Sequence, residues 1–341
     1  MSTSLQISHQ VRTAMRNRFV HDGVLLLNKH PGCTSHDLVV QARRLLGGAK
    51  VGHAGTLDPF ASGLLVLLVN EATKLSPFLT SQEKEYLFTV FFGIETDTQD
   101  CTGKVIKEEQ CAAIAAEEIR RACTVFTGLI DQVVPRYSAV RLGGRRLYQL
   151  AYQGQKPELP VRTVRIDSLS LVEVKWPEAT FRVVCSKGTY VRALASDLAR
   201  YLHCGGHVSR LCRLRSGGFR LERSITLAEL ASLAAEQRVT EALIPLSQAV
   251  EDYPALAVSE LTARRIRQGM LLTAAMIEHR QECGHEGRTP FKVVDPRGQL
   301  VAIVARCNGH SQRSSEAAFK TLRVFGTSQR SAASQGSPLT E

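Results

Sequence analysis

The segment Val51-Gly52-His53-Ala54-Gly55-Thr56-Leu57-Asp58-Pro59 puts an imidazole and a carboxylate among two glycines, just ahead of the apolar run Leu64 to Val69. A carboxylate so placed can act as a base or as a nucleophile. By spacing alone, however, Asp58-Pro59 reads as a turn initiator, and the glycines as places where backbone bends or approaches another surface. Gly47-Gly48, Gly52 and Gly55 fit neither GxGxxG nor the P-loop, so no phosphate cradle is read here. A second polar group, His279, Cys283, His285, Cys307 and His310, is irregularly spaced in a polar loop and does not follow a zinc pattern. Tyr190 and Arg192 stand where a strand passes into a helix, a common place for a pocket rim.

The elements that must position these groups are those of a mixed α and β domain. Val24 to Leu27 and Leu64 to Val69 are short apolar runs, as in strands buried on both faces. Tyr86, Phe88, Val90 and Phe92 alternate with Glu85, Leu87, Thr89 and Phe91, a strand whose aromatic face carries Tyr86. Ala112, Ala115, Ile119, Cys123 and Phe126 make one helical stripe, stopped by Gly128. Val191, Leu194, Ala195, Leu198 and Leu202 make another, with Thr189 as N-cap and Phe181 to Cys185 as the preceding strand. Prolines and an acidic pair between Leu243 and Pro254 predict a domain boundary. A basic helix, Leu261 to Arg267, follows, then strands Phe291 to Val294 and Leu300 to Val304 joined by a turn at Asp295-Pro296-Arg297-Gly298.

Composition narrows the partners. Lys+Arg 43 against Asp+Glu 32 gives +11 over 341 residues, a balance suited to a polyanion. Nine scattered cysteines without a CxxC pair predict reduced thiols and a cytoplasmic protein. No apolar run approaches the ~18 residues of a membrane span. Residues 1–20, with Arg12, Arg16 and Arg18, faintly resemble a transit peptide and read better as a frayed extension.

The segment around Asp58 closely resembles the GHxGTLDP signature of the TruB-type tRNA pseudouridine synthases, which holds their catalytic aspartate. The resemblance continues in order through Glu71-Ala72-Thr73-Lys74, Lys84-Glu85-Tyr86, Gly93, Thr96-Asp97-Thr98-Gln99-Asp100 and Gly103. Pro135-Arg136-Tyr137-Ser138-Ala139, Gly144-Arg145-Arg146-Leu147-Tyr148 and Cys185-Ser186-Lys187-Gly188-Thr189-Tyr190-Val191-Arg192 complete it, over roughly residues 21–220. His30, where a proline is usual after Lys29, and Cys212, where an arginine is usual, depart from the pattern.

The resemblance implies an α+β fold with a central mixed or antiparallel sheet flanked by helices, and a C-terminal PUA-like small β-barrel. The implied division is an extension 1–20, a catalytic domain 21–250, an RNA-binding domain 251–326 and a disordered tail 327–341. The implied reaction converts uridine to pseudouridine in the tRNA T loop, at the position conventionally numbered 55. Asp58 is the implied nucleophile, Tyr86 stacks on the target base and helps remove its C5 proton, and Arg192 pairs with Asp58. His53 fills the space of the flipped base, Tyr190 and Leu211 wall the uracil pocket, and Lys29 lies near the site. The chemistry calls for no cofactor or metal.

Two arginine stretches, Arg141, Arg145 and Arg146, then Arg210, Arg213, Arg215 and Arg220, are expected to track the RNA backbone. Arg264, Arg265, Arg267, Lys320 and Arg323 are expected to touch the acceptor stem. A monomer that needs no protein partner is expected. An RNA chaperone without turnover and a guide-RNA-dependent relative are the rivals; the candidate catalytic residues argue against the first, and a Ser/Gln-rich tail against the second.

Overall fold

The computed structural model describes residues 19–155, 157–280, 290–306 and 319–326. The extension through residue 18, the tail from 327, and Cys283, His285, Cys307 and His310 lie outside them. Among the described residues no group of His, Cys, Asp or Glu is arranged to hold a metal, and no helix is long and apolar enough to cross a membrane.

The main sheet is built from β1 (Gly23–Lys29), β2 (Val51–His53), β3 (Ser62–Val69), β4 (Lys84–Phe92), β5 (Gly128–Val133), β6 (Val161–Lys175), β7 (Glu178–Cys185) and β8 (Gly206–Ser216). Its order is Leu243–Ile244, β1, β3, β8, β4, β7, β6, β5, with β2 paired to β3 and Phe219–Arg220 to β8. Every pairing is antiparallel except β3 with β8, which meet in parallel only at Ser62–Cys212 and Gly63–Arg213. The continuous apolar runs are explained by burial on both faces. Leu25, Leu27, Leu65 and Leu67 pack on α1 (Ser35–Leu45), while Val24, Leu26, Leu64, Val66 and Leu68 enter a second cluster. On β4 the period of two holds: Phe88, Val90 and Phe92 join a third cluster with Leu194 and Leu198, against which Tyr86 packs.

Both predicted helices form, with shifted ends. The first is α2 (Ala116–Val125), so Ala112 precedes it, and Gly128 opens β5 instead of serving as a stop. The second is α3 (Val191–Tyr201), whose N-cap is Tyr190; Thr189 Oγ1 donates to the Ser186 carbonyl at 3.0 Å and does not cap. Cys111 and Cys204 form a disulfide with Cα atoms 5.8 Å apart, against the expectation of reduced thiols. The residues are 93 apart in sequence, and the fold brings the strap before α2 to the end of α3.

The C-terminal part adds β9 (Ala255–Ala257), α4 (Glu260–Arg267), β10 (Phe291–Val294), β11 (Leu300–Arg306) and β12 (Phe319–Val324). With His279–Arg280 these strands make an open five-stranded sheet, and no pairing among the described residues closes it into a barrel. The predicted turn is present, with Gly298 N donating to Asp295 O at 2.8 Å. The stretch expected to be a boundary is not a free linker: Leu243 and Ile244 pair with Leu25 and Val24. Leu300, Ile303 and Phe325 share a cluster with Val24, Leu26 and Leu64, so apolar packing crosses residue 250. Lys74 Nζ also donates to Val324 O, and Gly326 N to Glu71 Oε2.

Candidate active site

Asp58 lies on the loop from β2 to β3. Its carbonyl accepts from Ala61 N at 3.1 Å with Pro59 second in the turn, so the turn read from the sequence is present and also presents the carboxylate. Several groups hold this loop. Ser35 Oγ accepts from Leu57 N at 2.8 Å and donates to Leu57 O at 3.1 Å. Lys29 is wholly buried, and its Nζ donates to the carbonyls of His30, Pro59 and Ala61. An ammonium has three donors, and three carbonyls use them. Lys29 therefore supports the loop from beneath and does not present itself to a ligand.

Arg192, at the start of α3, is 4 % exposed. Its Nε lies 2.9 Å from Asp58 Oδ2 as an ion pair without hydrogen-bond alignment, while Nη2 donates to Asp58 Oδ1 at 3.3 Å. Nη1 donates to Thr98 O at 2.9 Å and Nη2 to Tyr137 O at 3.0 Å. The helix dipole disfavours a cation in a first turn, so carboxylates must compensate. The second is Asp100, buried, with Oδ2 3.6 Å from Arg192 Nη1. Its Oδ1 accepts from Thr98 Oγ1, Thr102 N and Thr102 Oγ1, which fixes its direction. Asp100 was not singled out by sequence reasoning, although it closes the Thr96–Asp100 motif.

Burial raises the Asp58 pKa above the ordinary carboxylate value; Arg192 pulls it down and Asp100 pushes it up. Tyr86, half-buried on β4, has its phenol raised chiefly by burial, with the nearby Arg213 charge opposing and Asp58 adding. The structure thus pairs Asp58 with Arg192 and sets the Asp58 charge within reach of Tyr86. His53 ends β2, with Nδ1 buried and without a hydrogen-bond partner. Burial, then Arg213, lowers its pKa and keeps the ring neutral. Leu211 is buried in the cluster that includes Leu57 and borders Tyr86, whereas Tyr190 packs against Val134, Leu147 and Leu150.

The expected basic groove is only partly free. Arg141, Arg145 and Arg146 are exposed on a hairpin, Arg145 bonding Gln153, with the Arg146 guanidinium 5.8 Å from the Tyr148 ring centre. In the other stretch Arg213 is 1 % exposed, Arg215 pairs with Glu83 and Glu85, and Arg210 pairs with Glu178. A strand alternates its faces, so a run of arginines along one cannot all meet solvent. Arg267 likewise pairs with Asp295 at 3.0 Å, while Arg264, Arg265, Lys320 and Arg323 stay exposed.

The chain is similar to known proteins over most of its length. Residues 43–191 match the model of the TruB family pseudouridylate synthase N-terminal domain, and residues 192–251 that of the tRNA pseudouridylate synthase B C-terminal domain. The chain is 40 % identical over 308 residues to tRNA pseudouridine synthase B of Syntrophus aciditrophicus, covering 89 % of this chain and 98 % of that protein. To the protein of the same name from Syntrophobacter fumaroxidans it is 42 % identical over 287 residues, covering 82 % and 92 %. Among solved structures, a Cbf5-Nop10-Gar1 complex contains a chain that superposes with a TM-score of 0.71 at 25 % identity, covering 93 % of this chain and 87 % of that one.

Proposed function

Since the chain belongs to the TruB family of pseudouridylate synthases, and is accordingly an isomerase that converts uridine in tRNA to pseudouridine, we propose that its target is the T-loop uridine conventionally numbered 55 and that Asp58 is the nucleophile. The observation that carries this reading is the loop carboxylate of Asp58, held against a buried arginine and close enough for its charge to act on the Tyr86 phenol. The bond from ribose C1′ to uracil N1 breaks, the base turns, and a bond from C1′ to C5 forms. A carboxylate adding to sugar or ring divides that exchange into easier steps. A base in a folded loop must first leave its stack, and the neutral His53 ring, beside the Asp58 loop, is positioned to fill the gap.

Lys29, Ser35 and Arg192 fix the carboxylate, and Arg192 keeps it ionised against the pull of burial. Exposed Arg141, Arg145 and Arg146 hold the RNA backbone near the site. Residues 21–250 form the catalytic part. Residues 251–326 form a PUA-like part whose Arg264, Arg265, Lys320 and Arg323 hold the acceptor stem. The protein acts in the cytoplasm as a monomer, without cofactor or protein partner. Identity of 40 % to a protein named tRNA pseudouridine synthase B, against 25 % to the chain from a Cbf5-Nop10-Gar1 complex, favours this over a guide-dependent role.

The test is Asp58→Asn with tRNA tritiated at uracil C5. Wild type should release label from one uridine per tRNA, and the variant none, with similar tRNA affinity. Release by the variant, once reversion to aspartate is excluded by mass spectrometry, would sink the nucleophile assignment; release by neither protein would sink the enzymatic reading.

A further inference from the structure

Arg213 is the largest fully buried side chain among the described residues, and no carboxylate among them is paired with it. A buried guanidinium needs full compensation. Part is found along β3, whose outer edge is shared by β2 at Leu67–Val69 and β8 at Ser62–Gly63. Between them Arg213 Nε donates to Leu64 O at 2.8 Å, and Nη2 reaches Gly55 O at 3.1 Å. A neutral side chain could serve those carbonyls. The charge has a further target. Arg213 and Tyr86 are Cα partners across β8 and β4, so they share a face, and the Arg213 charge acts on the Tyr86 phenol, pulling its pKa down against the effect of burial. Lys84, on the same face of β4, is committed to the carbonyls of Thr80 and Gln82.

We infer that Arg213 is a positioning residue for Tyr86, aiming the phenol oxygen at the bound uracil and stabilising its phenolate while that oxygen takes the C5 proton. The inference rests on the functional reading above. In the step it serves, the Tyr86 phenol first gives its proton to water, and the C5–H bond then breaks as the phenolate takes that hydrogen and its O–H bond re-forms. The freed electron pair closes the C5–C6 double bond, N1 is protonated by water, and Tyr86 ends as the phenol it began as. No oxidant or further reactant is required.

The experiment measures single-turnover isomerisation of a tRNA transcript, with protium or deuterium at C5, from neutral to alkaline pH. Wild type, Arg213→Met, Arg213→Lys and Tyr86→Phe are compared. Arg213→Met should be slowed about a hundredfold at neutral pH, should show a larger C5 isotope effect than wild type, and should recover part of its rate as pH rises. Arg213→Lys should regain part of the loss, and remains informative if the methionine variant does not fold. A deficit in the folded variants that is constant with pH and leaves the isotope effect at the wild-type value would mean that Arg213 only plugs the gap along β3, and overturns the inference alone. A wild type that makes no pseudouridine overturns the functional reading and this inference with it.

Discussion

Replacing Arg192 with methionine keeps the apolar stem and removes the charge that faces Asp58 at 2.9 Å and Asp100 at 3.6 Å. Two unit charges ~4 Å apart interact by about 4 kcal/mol at an effective dielectric of ~20. Asp58 is 33 % exposed, so solvent screening reduces its share to about 2 kcal/mol, roughly thirtyfold on an equilibrium constant. Loss of Arg192 also leaves Asp58 beside the like charge of Asp100 and deprives the Thr98 and Tyr137 carbonyls of donors, each worth about 1–3 kcal/mol when buried. Burial already raises the Asp58 pKa and Arg192 restrains it, so the variant's carboxylate should stay protonated to higher pH. Single-turnover rates should therefore fall by about a hundredfold or more at neutral pH and climb back in part as pH increases. Stability should move the opposite way. A carboxyl whose folded pKa lies above its unfolded value favours the folded state when protonated, so the variant should lose stability as pH rises through that raised pKa. A variant that turns over within a few-fold of wild type, with the same acid limb, refutes the role given to Arg192.

RNA affinity should fall steeply with salt, and Arg141→Gln with Arg146→Gln should flatten the log–log slope by roughly one and a half; an unchanged slope removes that hairpin from the RNA path. Cutting the chain at residue 250 should give protein without a cooperative unfolding transition, because Leu300, Ile303 and Phe325 leave a shared cluster, at about 1.5–3 kcal/mol per side chain. Arg264→Gln with Arg265→Gln should instead weaken tRNA binding while leaving the saturated single-turnover rate intact. Tyr152, 78 % exposed and edge-to-face with Tyr137 and Tyr148, stands beside the basic hairpin. Its change to alanine should weaken RNA binding about tenfold, and its change to tryptophan should not.

Elements whose residues answer to local rules were legible in the sequence. β1 and β3 are continuous apolar runs because both faces are covered, and β4 alternates because one face meets α3. The site was legible only through family resemblance, since residues 134 apart, such as Asp58 and Arg192, leave no periodic trace of their contact. Thr189 fits a cap by type, but its hydroxyl is taken by Ser186 O. The prolines near residue 250 imitate a linker, yet pairing of Leu243 with Leu25 depends on a strand far away. Arg213 was misread for the same reason: charge suggests a surface, and only the neighbouring β3 edge shows why a guanidinium is enclosed.

The short parallel contact between β3 and β8 makes the main sheet a jointed plate. One leaf carries β1, β2 and β3 with the Asp58 loop, and the other carries β4 to β8 with Tyr86 and Arg213, while α3 with Arg192 packs on it. At the joint, Gly63 has φ +100°, and a Cβ there would lie 2.4 Å from the Arg213 carbonyl oxygen. A single added methyl group would therefore act as a wedge between the leaves, loosening the Arg213 bonds to Leu64 and Gly55 that cross the joint. The first separation altered would be that between the carboxylate on one leaf and its counterion on the other, so the spacing of the two reacting halves is set by the thickness of a hydrogen atom at residue 63.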